Sequence, residues 1–276
     1  MATVRFTSAL QAEYQQLFDG CDIQKTRAAE VESIVARITR GRARYEAVGT
    51  PLGIPWFVVG LIHCMEGSLN FATHLHNGDP LTARTVHVPA GRPRNGEPPF
   101  AWEDSASDAL CLRNLQKCSD WSLPGTLYQI EGYNGFGYRL YHPEVRTPYL
   151  WGGSNRYVSG KYVADGTWSP TAVSKQIGAA VLLRRMAETN QVVFAHDGGL
   201  LAEHPDNATV TPDATLALPI VSYSKRNRSD ATAELQRALN RFPGIFVKVD
   251  GVPGNLTSDA FKRLSGHYLQ GDPRAL

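Results

Sequence analysis

The stretch Pro55-Trp-Phe-Val-Val-Gly-Leu-Ile-His-Cys-Met-Glu-Gly-Ser-Leu-Asn-Phe71, continuing Ala-Thr-His-Leu-His-Asn-Gly-Asp-Pro80, decides how this chain is read. Its first dozen residues form an apolar helical run, with Pro55 suited to the opening turn. Near the end of the run stands a single carboxylate, Glu66, and a segment rich in His, Asn and Asp follows. At 3.6 residues per turn Glu66 shares a face with Val59, Ile62, His63 and Asn70. Half-burial of that face raises a carboxyl pKa and keeps the group protonated near neutral pH, the state a general acid needs. The small or amide residues after it, Gly67, Ser68 and Asn70, leave room for a sugar. The plain alternative is a helix-end glutamate that is solvated or capping. The isolation of the acid behind an apolar run favours a proton donor of glycosidase type.

Asp79 lies 13 residues downstream in the turn-forming Asn77-Gly78-Asp79-Pro80. A second carboxylate serves a glycosidase as nucleophile at short separation or as base for a water at longer separation. An aspartate in such a turn equally well accepts its own backbone N–H. His63-x-x-Glu66 has one-face spacing, but neither H-x-x-E-H nor H-E-x-x-H occurs, so no metal site is expected and no cofactor is invoked. His63 reads as a core or hydrogen-bonding histidine near the substrate, and His74 and His76 as walls of a cleft. Tyr133-Asn134-Gly135 and the aromatic residues Tyr149, Trp151, Tyr157 and Tyr162 are candidate sugar platforms, because pyranose C–H faces stack on rings and amides read hydroxyl and N-acetyl groups. Some of these rings are equally well core residues. No G-x-S-x-G or phosphate-binding glycine loop is present.

The 276 residues allow one large domain, or a catalytic domain with a small module. A net charge of +2 from 28 basic and 26 acidic residues is too balanced for a nucleic-acid binder. Cys21, Cys64, Cys111 and Cys118 form no C-x-x-C pair, and reduced thiols are expected. The N-terminal residues lack the apolar stretch of a signal peptide, and the longest apolar run is too short to span a membrane. The expectation is a monomer made in the cytoplasm without membrane insertion, reaching any extracellular substrate only after release by another agent.

Residues 9–48 read as two helices, the second carrying Val31, Ile34, Val35 and Ile38 inward. After the central run comes a long irregular stretch, 77–101, in which Thr85-Val86-His87-Val88 has the alternation of a small strand. Helices are expected from Asp104, over 124–132, and from Pro170 to about Glu188. Residues 189–228, broken by Pro205, Pro212 and Pro219, read as a linker in which only 192–194 and 216–218 are apolar enough to pack. The remainder, 229–276, has its own helix–loop–helix organisation.

Two resemblances follow from these residues. Residues 230–270, with Leu235-Gln236 followed by Asp250-Gly251-x-x-Gly254-x-x-Thr257-x-x-Ala260, resemble a three-helix peptidoglycan-binding domain, with Pro253 and Ser265-Gly266 departing from the usual pattern. That resemblance implies wall-binding through Asp250, Gly251, Gly254 and Thr257, with Thr257 capping the last helix. The span 55–188 resembles the lysozyme-like superfamily, with Glu66 at its catalytic acid and Tyr133-Asn134-Gly135 similar to the Tyr-Asn-Ala-Gly loop of lytic transglycosylases. The implied protein is mainly α: a lysozyme-like catalytic domain over 1–188 with a small irregular or β segment, a linker, and a wall-binding module over 229–276. Its implied substrate is bacterial peptidoglycan, cleaved between N-acetylmuramic acid and N-acetylglucosamine with Glu66 as the acid. Either a water activated by Asp79 or a neighbouring hydroxyl completes hydrolysis, or the muramyl 6-hydroxyl attacks. From the residues themselves, His63, Asn70, His76, Tyr133, Asn134, Tyr149 and Tyr157 are the candidate substrate-binding positions. A lytic transglycosylase, a chitosanase- or chitinase-like enzyme and a non-catalytic wall-binding or virion protein remain alternatives.

Overall fold

Apolar side chains at helical spacing build most of the molecule. The computed structural model describes residues 4–164, 166–192, 194, 220–242 and 244–275. Along them run α1 (Ser8–Asp19), α2 (Ala28–Arg40), α3 (Arg42–Leu52), α4 (Trp56–Gly67), α5 (Trp102–Leu112), α6 (Leu123–Asn134), α7 (Gly137–Tyr141) and α8 (Pro148–Trp151). An antiparallel hairpin of β1 (Lys161–Ala164) and β2 (Thr167–Ser169) follows, then α9 (Ala179–Glu188), α10 (Asp230–Leu239) and α11 (Asn255–Ser265). The fold is thus mainly α, as expected. The chain divides into two compact units, one of residues 1–17 and 21–183 and one of 18–20 and 184–276. The prolines of the expected linker lie outside the described residues, as does 216–218. Among the described residues no single helix is long and apolar enough to cross a membrane.

In the first unit α4 is the hub, packed against α2, α3 and α6. Phe57, Val58, Val59, Leu61, Ile62 and Met65 are all buried, each contributing about 2 kcal/mol of apolar transfer free energy. Close approach of the neighbours depends on Gly60, where a Cβ would meet Ile38 Cγ2 at 2.8 Å and the Tyr45 ring at 3.1 Å. The second expected helix of the N-terminal region is in fact two. Gly41, whose N–H bonds to the Arg37 and Ile38 carbonyls, ends α2, and the Tyr45 ring lies where a Cβ at position 41 would stand.

Three other expectations are corrected. Residues 170–178 are not helical, and α9 begins at Ala179. This segment crosses the end of α8 with main chain against main chain. The Gly178 N–H donates to the Gly152 carbonyl at 2.8 Å, and a Cβ at 178 would stand 2.2 Å from the Leu150 carbonyl oxygen. Thr85–Val88 is not a strand: Val86 and Val88 point into solvent, while the Thr85 hydroxyl and N–H bond within their own loop. Among the described residues the C-terminal segment shows two α-helices, in keeping with its helix–loop–helix reading but not the three that the resembled domain implies.

That segment is built around Gln236, 1 % exposed on α10. Its Oε1 accepts the N–H groups of Asp250 (3.0 Å) and Gly251 (2.8 Å). Its Nε2 donates to Asp250 Oδ1, the Val252 carbonyl and Thr257 Oγ1. Gly251 takes the left-handed conformation (φ 74°) that the turn requires. Thr257 does not cap α11, whose N-cap is Gly254; its hydroxyl bonds to the Val252 carbonyl one turn back. Asp250, Gly251 and Thr257 therefore bind the protein's own glutamine, and Gly254 starts the helix. The surrounding core is small: Leu235, Leu239, Ile245, Val247, Ala260 and Leu269. Replacing Gln236 by Leu strands two backbone donors at about 1–3 kcal/mol each. Hydrogen exchange of the full-length variant is expected to show lost protection over 230–265, with the first unit unchanged.

Candidate functional site

Glu66 is the one residue of α4 that is exposed. The helix ends immediately after it in an unusual way. Ser68 (φ 52°) and Leu69 (φ 60°) both adopt left-handed conformations, which cost a residue with a Cβ about 1 kcal/mol or more. Both N–H groups reach back to the His63 carbonyl, Arg37 donates to the Ser68 carbonyl at 3.0 Å, and Gln176 Nε2 donates to the Met65 carbonyl at 3.1 Å. Gly67 is required by His63, whose ring lies 2.9 Å from where a Cβ would stand. The main chain on both sides of the acid is thereby held.

Three side chains from other elements converge on Glu66. Tyr149, on α8, is buried and donates its hydroxyl to Glu66 Oε1 at 2.6 Å. Tyr133, near the end of α6, is buried beside them. Arg113, just past α5, lays its guanidinium over the Tyr133 ring, 5.2 Å from the centroid. Glu66 is open to solvent on one side, but the packed helix end and the phenol crowd its carboxyl group. Desolvation raises its pKa above the usual carboxylate value, opposed by the Tyr149 hydrogen bond and the Arg113 charge. Burial and the neighbouring carboxylate raise both tyrosines as well, so each stays a neutral phenol and Tyr149 remains a donor. With Oε1 occupied by Tyr149, a proton on Glu66 resides on Oε2, the oxygen free to meet a ligand.

The other expected site residues are placed differently. Asp79 is the hub of its own loop. Its carboxylate accepts the N–H groups of Val86 (2.8 Å) and His87 (3.0 Å), Asn77 Nδ2 (3.1 Å) and His87 Nδ1 (2.5 Å). These bonds, the His87 ring first among them, hold its carboxyl well below the usual range. His76 is not a cleft wall: its side chain is fully enclosed and bonds to Asp108 Oδ2 at 2.8 Å, and Arg92 bonds to the same carboxylate. His74 is likewise buried, between Ser105 Oγ and the Ala83 carbonyl. Tyr157 is no platform, since its hydroxyl donates to the Gly160 carbonyl and accepts the Ser174 N–H. Asn70 closes its own turn by accepting the Ala72 N–H. Asn134 is exposed at the end of α6, where Gly135 (φ 95°, ψ 154°) bends the chain.

His63 is fully buried, with Nδ1 at 3.0 Å from the Tyr45 hydroxyl and its ring against Phe71 and Trp102. Its role is to support the helix end, and burial lowers its pKa from 6.5 to about 4.

Sequence reading missed the partnership of Glu66 with Tyr149, which is 83 residues away, and missed Arg113 altogether. No local pattern marks either. A second acid, Glu131, is buried on the opposite side of α6 from Tyr133 and borders a shallow depression with Tyr138, Arg139, Arg146, Thr147 and Trp151. Tyr14 (2.7 Å) and Arg139 (2.8 Å) occupy its two oxygens, so it holds α1 and α7 rather than offering a proton to a ligand. Among the described residues no group of three or more His, Cys, Asp or Glu side chains is arranged to hold a metal ion. No protein-family model, curated protein or solved structure matches the chain.

Two measurements check the site. In Tyr149→Phe the hydrogen bond that favours the charged carboxylate is gone, so the Glu66 pKa, followed by carboxyl carbon NMR, moves further upward. For His63 the depressed folded value means that the unfolded chain binds the extra proton between pH 6.5 and about 4. Stability from the neutral ring is present above pH 6.5 and is lost as pH falls through this window, by about 3 kcal/mol at most. Denaturant unfolding of wild type and His63→Phe at pH 7.5 and 4.5 is expected to show a smaller acid loss in the variant.

Proposed function

We propose that the protein is a peptidoglycan-cleaving glycosidase of lysozyme-like type in which Glu66 is the general acid. The observation that carries this reading is the Glu66–Tyr149 pair: a carboxyl group raised by desolvation, open to solvent on one side, and oriented by a buried phenol at 2.6 Å. In the first step Glu66 Oε2–H protonates the glycosidic oxygen, the C–O bond breaks, and the sugar takes on oxocarbenium character. Oε1 keeps its hydrogen bond throughout, and the phenol stabilises the carboxylate left by proton transfer. The 229–275 segment holds the enzyme near its polymeric substrate, raising the effective concentration of glycan.

A second reading within the same chemistry is favoured by one observation. Asp79, the expected second carboxylate, spends its oxygens on four donors of its own loop. A single-acid mechanism suits this arrangement. After C–O cleavage the Glu66 carboxylate takes the proton from the muramyl 6-hydroxyl as that oxygen attacks C1, giving a 1,6-anhydro product with no water consumed. Water in place of the hydroxyl gives the reducing sugar.

Turbidity of purified sacculi tests the assignment. Wild type is expected to clear the suspension, and Glu66→Gln to do so about 10²–10⁴-fold more slowly. Equal clearing by both removes Glu66 from the mechanism, and no clearing by either favours a non-catalytic wall-binding protein. Mass spectrometry of the released muropeptides then separates anhydro from reducing ends.

A further inference from the structure

We propose that Gln176 is a substrate-binding residue of the Glu66 site, its Oε1 accepting the N–H of an acetamido group on the glycan. The inference rests on the reading of Glu66 as a glycan-cleaving acid and goes beyond it, in naming the sugar group that is held beside the acid.

Gln176 belongs to the segment between the hairpin and α9. Its Nε2 donates at 3.1 Å to the carbonyl of Met65, the residue immediately before the acid and 111 positions away in sequence. A carbonyl can only accept, so this bond settles which end of the amide faces the helix. Oε1 is turned away from that carbonyl, and among the described residues it has no hydrogen-bond partner. Gln176 is exposed, as Glu66 is. Arg37 serves the neighbouring Ser68 carbonyl in the same way, but a guanidinium has no acceptor to offer a ligand.

The main chain that carries this amide is fixed on both sides. Arg27 donates to the Lys175 carbonyl at 2.6 Å, the Gln176 N–H donates to Ser174 Oγ at 3.3 Å, and Ile177 is buried. Gly152 makes room for the Gln176 carbonyl oxygen, which would stand 2.5 Å from a Cβ there. The end of α8 sets Tyr149 and Gln176 together, one against the carboxyl group of the acid and the other against its main chain. The groups already at the acid decide what Oε1 is for. Arg113 has donors only, Tyr149 spends its O–H on Glu66 Oε1, and a protonated Oε2 is itself a donor. A sugar hydroxyl meets such groups by accepting from them. An acetamido N–H is a donor only, and against a packed helix end it loses water, so it needs an acceptor of the kind Gln176 presents. Both sugars of the proposed substrate carry that group.

The test separates a sugar contact from a helix cap. The full-length Glu66→Gln protein, used so that the glycan is not cut, is titrated by NMR with chitotetraose carrying ¹⁵N in its acetamido groups. Gln176 is intact in the parent and replaced in Gln176→Lys and Gln176→Met. Lysine keeps a donor for the Met65 carbonyl but removes the acceptor, whereas methionine removes both. On binding to the parent, one acetamido proton is expected to move downfield and exchange more slowly. Both variants are expected to lose that signal and to bind about tenfold more weakly. A residue that only capped the helix would be rescued by lysine. Hydrogen exchange at Ser68 and Leu69, whose N–H groups bond to the His63 carbonyl, reports whether the helix end is intact in each variant. The proposal is overturned if Gln176→Lys binds as the parent does, or if no acetamido proton shifts in the parent, an absence of binding included. Failure of the glycosidase reading appears separately, as absence of cleavage of sacculi by the wild-type protein whatever the binding result.

Discussion

The first unit depends on the burial of α4 around nearly its whole circumference. A helix enclosed by three others has no polar face to spare, so any charged residue on it must find the one direction in which the packing ends. Glu66 occupies that direction, one residue before the helix closes. The core accordingly does more than hold the fold. It supplies the low-polarity surroundings that discourage ionisation of the carboxyl group, while the open side leaves that group accessible.

What surrounds the acid is graded. A buried phenol stabilises its charged form through a short hydrogen bond, and an exposed guanidinium does so through space, while desolvation works against both. The protonated and ionised states are thus each supported by some part of the site, which is what a group that gives up a proton and later takes one back needs. The tyrosines contribute because they are themselves held neutral. An ionised phenolate next to Glu66 would repel the carboxylate and donate no hydrogen bond.

The helices and the acid were legible in the sequence because both are local signals: apolar spacing over a dozen residues, and one carboxylate in an otherwise apolar run. The partners were not, because Tyr149 and Arg113 come to Glu66 from distant elements through tertiary packing alone. Asp79 shows the opposite difficulty. Its Asn-Gly-Asp-Pro setting announced a turn as clearly as a second carboxylate, and the loop turned out to place four donors of its own on the side chain. The Asp250–Thr257 pattern was legible too, but as architecture: spacing that satisfies one buried glutamine marks a way of folding, and by itself says little about what the module's surface touches.

The crossing of residues 176–178 over the end of α8 has one more consequence. Gly152 and Gly178 meet as bare peptide groups, with no side chain between them. The placement of Tyr149, three residues before Gly152, is therefore referenced to main-chain dimensions, which are the same in every protein, rather than to the shape of any packed residue. Side chains around the crossing are free to drift over evolutionary time while the phenol keeps its distance to the carboxylate. The two glycines, far less conspicuous than the acid, are where such drift has to stop.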